Sequence, residues 1–479
     1  MSAQIQPRAV KPGHVEATEM PWPRTGYAWR VVAILTAAYT LSFIDRQILG
    51  LVLEPIRRDL LLSDTQVSLL AGSAFAIFYV TLGLPLGRIA DRANRRNLII
   101  CGVLLWSLMT AACGLADNFW ELFAARVGVG VGEAALSPAA LSIISDYFPP
   151  RQRVRPLAMY FLAPAIGSGL AYLLGGTVSA AVSASPDLHL PLLGPLAAWQ
   201  LVFVIVGTPG MAFALVLLSI REPLRRGVRG GTSGMQHGST PVARTRDIAH
   251  FILRENPQTF AVLFLAYAGF ALHADSVFVW IPTLFIRRFG WSPAEIGLIM
   301  GSIVLVCATL GVLASMSIAA RLQARGSTDA VLRTSLLMGA ALTPLGILLP
   351  LVNSPGTALL VLAPVSALSF GLFAMIPPTL QLITPNQMRG QVSAVFSVFN
   401  NVIGMMIGAT SVALLTDYVF RDPLRLHHSL VVVAAVTLPL SSALMWWGLP
   451  HFSRSIMRAE GWMGELARAH VQSVASTSK

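Results

Sequence analysis

Long apolar runs separated by short charged segments dominate the pattern of this chain. Twelve of the runs are long enough to cross a bilayer, which takes roughly 20 apolar residues in a helix. They fall near residues 28–53, 64–90, 97–116, 119–146, 154–183, 197–220, 257–286, 293–320, 331–351, 356–383, 388–418 and 428–449. Residues that cap helix starts occur at Ser63 to Gln66, Asn118 to Glu121, Ser292 to Glu295 and Thr384 to Gln387. The pattern predicts an all-α polytopic membrane protein with twelve transmembrane helices, named spans 1 to 12 in chain order.

A polar segment rich in Gly, Ser and Arg divides the spans six and six. This composition is typical of a flexible linker, so we expect two six-helix bundles. The expected division is an N-terminal segment 1–26, an N-terminal bundle 27–220, a linker 221–255, a C-terminal bundle 256–450 and a tail 451–479. The tail is compatible with a short surface helix and with a disordered segment.

The two halves of the chain repeat each other around spans 2 and 8, at an offset of 229 residues. The matching positions are Ser63, Gln66, Leu69, Gly72 and Ser73 in the first half and Ser292, Glu295, Leu298, Gly301 and Ser302 in the second. Similarity of this kind is typical of two transporter bundles related by an axis along the membrane normal.

Composition and charge support this interpretation. Of the 479 residues, 55% are hydrophobic and 12% are charged, whereas a soluble domain carries about 25% charged residues. The net charge of +12 does not indicate a nucleic-acid partner, because the basic residues lie in short clusters between the spans. Of the 34 Lys and Arg residues, 26 lie in the N-terminal segment, the even-numbered loops and the tail, and six lie in the odd-numbered loops. We therefore expect a bacterial-type inner membrane protein with both termini cytoplasmic.

Chemistry other than transport finds little support in the sequence. Cys101, Cys113 and Cys307 lie within apolar runs, without the spacing of a metal site or a disulfide framework. The glycines between Gly128 and Gly132 follow no predicted strand and complete no nucleotide-binding motif. The first 25 residues lack the apolar core of a removable signal peptide. We expect no metal, no cofactor and no enzymatic activity.

Ionisable side chains within the spans are informative, because inserting each one costs about 2.5–3.5 kcal/mol. They are Asp45 and Arg46 in span 1, Arg126 and Glu133 in span 4, and His273 and Asp275 in span 7. Asp45 and Arg126 lie at a similar depth, which predicts an ion pair, and Glu133 shares one face of span 4 with Arg126. The structural alternative is a static network of ion pairs in spans 1 and 4, with the two polar residues of span 7 merely satisfying a buried partner.

The loop between spans 2 and 3 reads GRIADRANRR. It resembles the loop motif of the major facilitator superfamily, Gly-x-x-x-Asp-Arg-x-Gly-Arg-Arg, with Asn94 in place of the inner glycine. The resemblance implies a conformational role for Gly87, Asp91, Arg92, Arg95 and Arg96. We expect the glycine to allow close helix approach, the arginines to face anionic headgroups and Asn94 to tolerate a left-handed backbone. An ordinary positive cytoplasmic loop is the alternative.

Three further stretches narrow the resemblance to the spinster-like branch of that superfamily: SFIDRQILGLVLEPI in span 1, ARVGVGVGEAALSPAALSIISDYFPP in span 4 and PAIGSGLAYLLGG in span 5. The resemblance implies the major facilitator fold, a cavity lined by spans 1, 4, 7 and 10, and proton-linked movement of lysolipids or sphingolipid-like amphiphiles. It implies that Asp45 and Glu133 couple transport to protons. We expect protonated Glu133 to release Arg126 for the substrate. The residues expected to contact the substrate are Arg46, Arg126, His273 and Asp275.

The sequence thus favours a proton-coupled secondary transporter that works by alternating access, as a monomer. Its expected partners are protons, an amphiphilic or anionic small molecule and membrane lipids. A transporter of a small organic anion is a second possibility, since an Asp-Arg pair in span 1 also resembles anion symporters. A third possibility is a non-transporting membrane sensor of the same fold, which would bind its ligand without flux.

Overall fold

The computed structural model describes residues 22–90, 92–149, 152–184, 196–225, 245–385 and 388–477. Within these ranges, twelve helices are long and apolar enough to cross a membrane. They are α1 (Thr25–Asp59), α2 (Asp64–Gly83), α3 (Arg95–Cys113), α4 (Phe119–Tyr147), α5 (Val154–Val182), α6 (Ala198–Leu217), α7 (Pro257–Phe289), α8 (Pro293–Ala324), α9 (Ala330–Leu351), α10 (Pro355–Ile383), α11 (Arg389–Phe420) and α12 (Pro423–Ala459). The predicted all-α fold is confirmed, with α1 to α6 in one bundle and α7 to α12 in the other.

Successive helices cross in opposite directions, so the fold has two faces. We call the face that holds Thr25, the α2–α3 loop and Glu222 the linker face, and the opposite face, which holds the α1–α2 loop, the far face. The helical backbone of α2 continues to Ala90. That of α12 continues to Thr477, through the segment that the sequence assigned to the tail.

Side chains at the helix starts explain where several helices begin. Ser63 and Ser292 form the predicted capping boxes of α2 and α8, and the side chain of Asn118 caps α4. The start predicted at Thr384 is wrong, because this residue ends α10 and α11 begins at Arg389. The Oγ1 atom of Thr384 is buried without a hydrogen-bond partner among the described residues, so it caps no helix.

Glycines bring α4 against its neighbours, as the sequence predicts. A Cβ atom added to Gly130 would lie 2.5 Å from the carbonyl oxygen of Phe75 in α2, closer than real side chains come, and Gly132 is packed almost as tightly against α3. Just after these glycines the helix is interrupted, between the segments Phe119–Glu133 and Leu136–Tyr147. The interruption places Glu133 at the end of a helical segment inside the first bundle.

The two bundles meet through small residues on two helix pairs, α2 with α11 and α5 with α8. A Cβ atom added to Gly72 would lie 2.2 Å from the carbonyl oxygen of Met405 in α11, and one added to Gly301 would lie 2.5 Å from the backbone nitrogen of Leu173 in α5. Gly72 and Gly301 are matching positions of the 229-residue repeat. Each bundle therefore contacts the other through a glycine at the equivalent position of the repeat.

Candidate functional site

Glu133 lies at the centre of a buried polar cluster in the first bundle. Its Oε2 atom accepts hydrogen bonds from Ser42 Oγ and from Arg46 Nη2, each at 2.6 Å. Its Oε1 atom has no hydrogen-bond partner among the described residues, and the residue is 2% exposed. Oε1 can therefore accept a proton without breaking an existing hydrogen bond.

Arg46 is held on its other side by aromatic rings. Its guanidinium carbon lies 4.4 Å from the ring centre of Phe75, 4.7 Å from that of Phe43 and 5.1 Å from that of Tyr79. Cation–π contacts of a desolvated cation are worth about 2 kcal/mol. The rings keep stabilising the Arg46 charge when the Glu133 carboxylate is neutralised.

Arg126 and Asp45 are buried beside this cluster, but the ion pair expected between them is not formed. Arg126 instead donates from Nη1 to the backbone carbonyl of Asp45, at 3.3 Å. Neighbouring residues of an α-helix are rotated by about 100°, so Asp45 and Arg46 do not both point at Glu133. The residue that Glu133 holds is thus Arg46, not Arg126. The Nε and Nη2 atoms of Arg126 have no hydrogen-bond partner among the described residues, which leaves two buried cationic donors for an anion.

A small cavity lies between the bundles next to Arg46. Its volume is about 30 Å³, room for one or two water molecules. Its polar lining is Arg46 and Gln47 from α1 and Asp275 from α7, and its apolar lining includes Val279 of α7 and Met405 of α11. A larger ligand enters only if the bundles move apart.

The two ionisable residues of α7 point in different directions. Asp275 lines the cavity, whereas His273 packs inside the second bundle, where a Cβ atom added to Gly346 of α9 would lie 2.8 Å from its Nε2. Residues two apart on a helix are rotated by about 200°, which explains the divergence. Both residues of α7 were expected to contact the substrate. The structure brings Asp275 to the site and places His273 away from it.

On the far face, an ion cluster joins the two bundles. Arg287 of α7 donates to Glu54 of α1 at 2.8 Å and to both oxygens of Asp64 in α2, at 2.7 and 2.6 Å. Arg57 and Arg58 also donate to Glu54. Sequence reasoning missed this cluster because it treated the arginines only as loop charges. The available signal was Glu54, an acidic residue within an apolar run.

A second link on the same side joins α2 to α11. The Oδ2 atom of Asp417 accepts hydrogen bonds from the backbone N–H and the hydroxyl of Thr65, both at 2.7 Å. Ser68 and Thr410 approach each other at 3.5 Å, between this link and the contact at Gly72. The structure is therefore a conformer in which the bundles are closed on the far face.

Ionisable residues inside membrane spans, beside a cavity between two repeated bundles, are typical of secondary transporters. Residues 35–409 match the model of the Major Facilitator Superfamily. The chain belongs to the major facilitator superfamily.

Relatives place this superfamily transporter in the spinster-like branch. It is 28% identical over 436 residues to an MFS-type efflux pump of Mycolicibacterium smegmatis, covering 90% of this chain and 94% of that protein. It is 29% identical over 313 residues to mouse protein spinster homolog 1, covering 62% of this chain and 56% of the mouse protein. It also resembles the crystal structure of a bacterial homolog to the human lysosomal transporter Spinster, in an inward-facing and unoccupied conformation. That match has a TM-score of 0.71 and 25% identity, and it covers 91% of this chain and 99% of the other.

In this superfamily transporter, the loop motif is anchored to the linker face of the first bundle. Arg95 is 1% exposed and forms ion pairs with Asp146 at the end of α4 and with Glu222 beyond α6. It does not face lipid headgroups, contrary to the expectation, because two acidic partners compensate its burial. The backbone N–H of Arg96 also donates to Glu222, whereas Arg92 is exposed.

Two further expectations for this motif need correction. Asn94 has a φ of −70° and its side chain caps α3 by accepting from the N–H of Asn97, so it does not adopt a left-handed backbone. A Cβ atom added to Gly87 would lie 4.0 Å from that of Pro138 in α4, an ordinary contact that does not require a glycine. Asp91 lies outside the described residues, and its conformational role stays a prediction.

Proposed function

We propose that this protein is a proton-coupled secondary transporter that moves an amphiphilic substrate, of lysolipid or sphingolipid-like type, by alternating access. The observation that carries the proposal is the buried pairing of Glu133 with Arg46 and Ser42. Ionisable residues within membrane spans pair with one another and mark substrate pathways and proton relays. Asp45, buried beside Arg126, is the second proposed proton site.

A proton on Glu133 cancels the charge that holds Arg46. The arginine then stays stacked on its aromatic rings and is free to bind a phosphate or carboxylate headgroup. Arg126 supplies two further unpaired donors, and the apolar walls accept a chain. The proton frees the Arg46 cation for the substrate, so binding of the proton and binding of the anionic headgroup each strengthen the other. Such positive coupling favours symport, in which proton and substrate cross the membrane in the same direction.

Alternating access needs a second conformer that opens the far face. The Arg287 cluster and the Thr65–Asp417 link hold that face closed, and both must break for it to open. With both termini in the cytoplasm, as the charge distribution favours, the closed far face is the outer face of the membrane protein.

A small organic anion is the second candidate substrate, and the observation in its favour is the small cavity beside the unpaired donors of Arg126. Counterflow of a labelled short-chain lysophospholipid in proteoliposomes tests the choice. We expect unlabelled amphiphiles with an anionic headgroup to compete and short carboxylates not to compete. Competition by short carboxylates, without any by amphiphiles, would favour the anion transporter. Ligand-induced thermal stabilisation without any flux would favour the sensor.

The proposed setting is a bacterial-type inner membrane, in which the protein acts as a monomer and not as an enzyme, without metal, cofactor or nucleic acid. The orientation is tested in a variant in which Cys101, Cys113 and Cys307 are replaced. A cysteine at the exposed Thr328, in the α8–α9 loop on the linker face, should label only from the cytoplasmic side. One at the exposed Ser354, on the far face, should label from outside. Labelling with the two sides exchanged rules out this orientation.

A further inference from the structure

Asp275 is the acidic residue that lines the cavity between the bundles. It lies in the middle of α7, yet among the described residues its carboxylate has no hydrogen bond and no ion pair. An unpaired carboxylate within the membrane is costly and points to a functional role.

Packing of α7 on α11 fixes the position of this carboxylate. A Cβ atom added to Gly404 of α11 would lie 2.5 Å from Asp275 Oδ2. The next residue, Ser276, donates to the carbonyl oxygen of Gly408 in α11 at 2.8 Å. Asp275 thus has little freedom to move, and α11 offers its carboxylate glycines rather than a charged partner.

The internal repeat shows what Asp275 lacks. Between α1 and α7 the matching residues lie 230 apart, one more than between α2 and α8, and this offset relates Asp45 to Asp275 and Arg57 to Arg287. In the first bundle α4 supplies Arg126 beside Asp45, but α10, the counterpart of α4, carries no charged residue. The basic group that faces Asp275 is Arg46 of the other bundle. The second bundle therefore contains the acidic residue Asp275 but no counterpart of Arg126 beside it.

We propose that Asp275 is the second partner of Arg46 in the absence of substrate, so that proton uptake by Glu133 transfers the arginine from a pair within the first bundle to a pair between the bundles, which an anionic headgroup then replaces. This inference rests on the proposed function, because it uses Glu133 as a proton site. The remaining ionisable group that faces Asp275 is Tyr172 of α5, whose hydroxyl donates to the carbonyl oxygen of Phe278 at 2.6 Å.

The direction of the effect follows from the geometry. Arg46 and Asp275 line one cavity in the conformer that is closed on the far face, so their pair stabilises this conformer. A proton on Glu133 therefore favours far-face closure, and Asp275 transmits the effect to the second bundle.

Distances between spin labels test the proposal without relying on transport. Labels at Leu61 and Leu424, which are 89% and 64% exposed on the far face of opposite bundles, report closure. On acidification from mildly alkaline pH, we expect the closed-to-open ratio of the wild-type protein to rise by about 5- to 150-fold, the usual range of such coupling. Asp275→Asn, which keeps the size of the side chain, should lose this pH response, and so should Asp275→Ala, which removes the side-chain oxygens that pack on Gly404. Asp117→Asn, at an exposed position of the α3–α4 loop, should retain it.

Glu133→Gln should show a raised closed-to-open ratio that does not change with pH, and adding Asp275→Asn should lower that ratio. A full pH response in both Asp275 variants overturns the role of Asp275 while leaving proton coupling intact. The absence of any pH response in the wild-type protein also overturns the role of Asp275. Uptake driven by a pH gradient, measured on the same protein, then shows whether the proposed function is wrong as well.

Discussion

The Glu133→Gln variant is expected to lose proton-driven accumulation of substrate while it still exchanges substrate across the membrane. Glutamine keeps the size of the side chain and a partner for Ser42, but it takes up no proton and carries no charge to hold Arg46. A gradient of one pH unit is worth about 1.4 kcal/mol per proton, which supports about tenfold accumulation in the wild-type protein and a ratio of about one in the variant.

Gradient-driven uptake and counterflow of the same short-chain lysophospholipid measure the two activities, with the membrane potential clamped. Glu121→Gln is the matched control, because it makes the same change in the same helix at an exposed position. The control should retain both activities. If Glu133→Gln accumulated substrate as the wild-type protein does, Glu133 would not be the coupling residue and the cluster would be a static ion pair.

The second large effect is expected from Gly72→Ala, which should open the far face and slow transport. Its new methyl group would lie 2.2 Å from the carbonyl oxygen of Met405, so α2 and α11 must separate where the bundles meet. Overpacking of this kind costs about 1–3 kcal/mol, which shifts a conformational equilibrium by about 5- to 150-fold. The spin-label pair at Leu61 and Leu424 should report a larger open fraction.

Gly83→Ala provides the control for this change. Gly83 lies in the same helix, and a Cβ atom added there would meet nothing within 4 Å. The control should leave both the distance distribution and the transport rate unchanged. An unchanged distance distribution in Gly72→Ala would show that the contact with Met405 does not hold the far face closed.

Much of the fold could be predicted from the sequence, because each bilayer crossing needs its own apolar run. The repeat matched Gly72 with Gly301, and the structure places these two glycines at equivalent interfaces between the bundles. Helix starts were predictable where a side chain satisfies free N–H groups, as at Ser63, and not at Thr384, which is buried at the end of a helix.

The pairing of charges was harder to predict than their presence. The sequence indicated which ionisable residues lie in the membrane, but depth alone could not decide whether Asp45 or Arg46 faces Glu133. That choice depends on the rotation of α1 against α4, which the packing of glycines such as Gly130 fixes. For the same reason, the sequence could not show that Asp275 lines the cavity and that His273 does not.

The ion pairs that Arg287 and Arg95 form with distant segments were not predicted from the sequence. Arg287 lies more than 200 residues from Glu54 and Asp64, and nothing in the local pattern of α7 indicates that it crosses to the other bundle. Arg95 was expected at the membrane surface because its neighbours in the loop are basic, yet it is buried between Asp146 of α4 and Glu222, which lies beyond the end of α6.

Movement of protons driven by the substrate tests the coupling through Glu133 most directly. A gradient of short-chain lysophospholipid is imposed across proteoliposomes that contain a pH-sensitive dye, without a pH gradient and with the membrane potential clamped. Substrate that enters through the wild-type protein should acidify the lumen, whereas Glu133→Gln should admit substrate without acidification. Entry of substrate through the wild-type protein without any change in luminal pH would contradict the account.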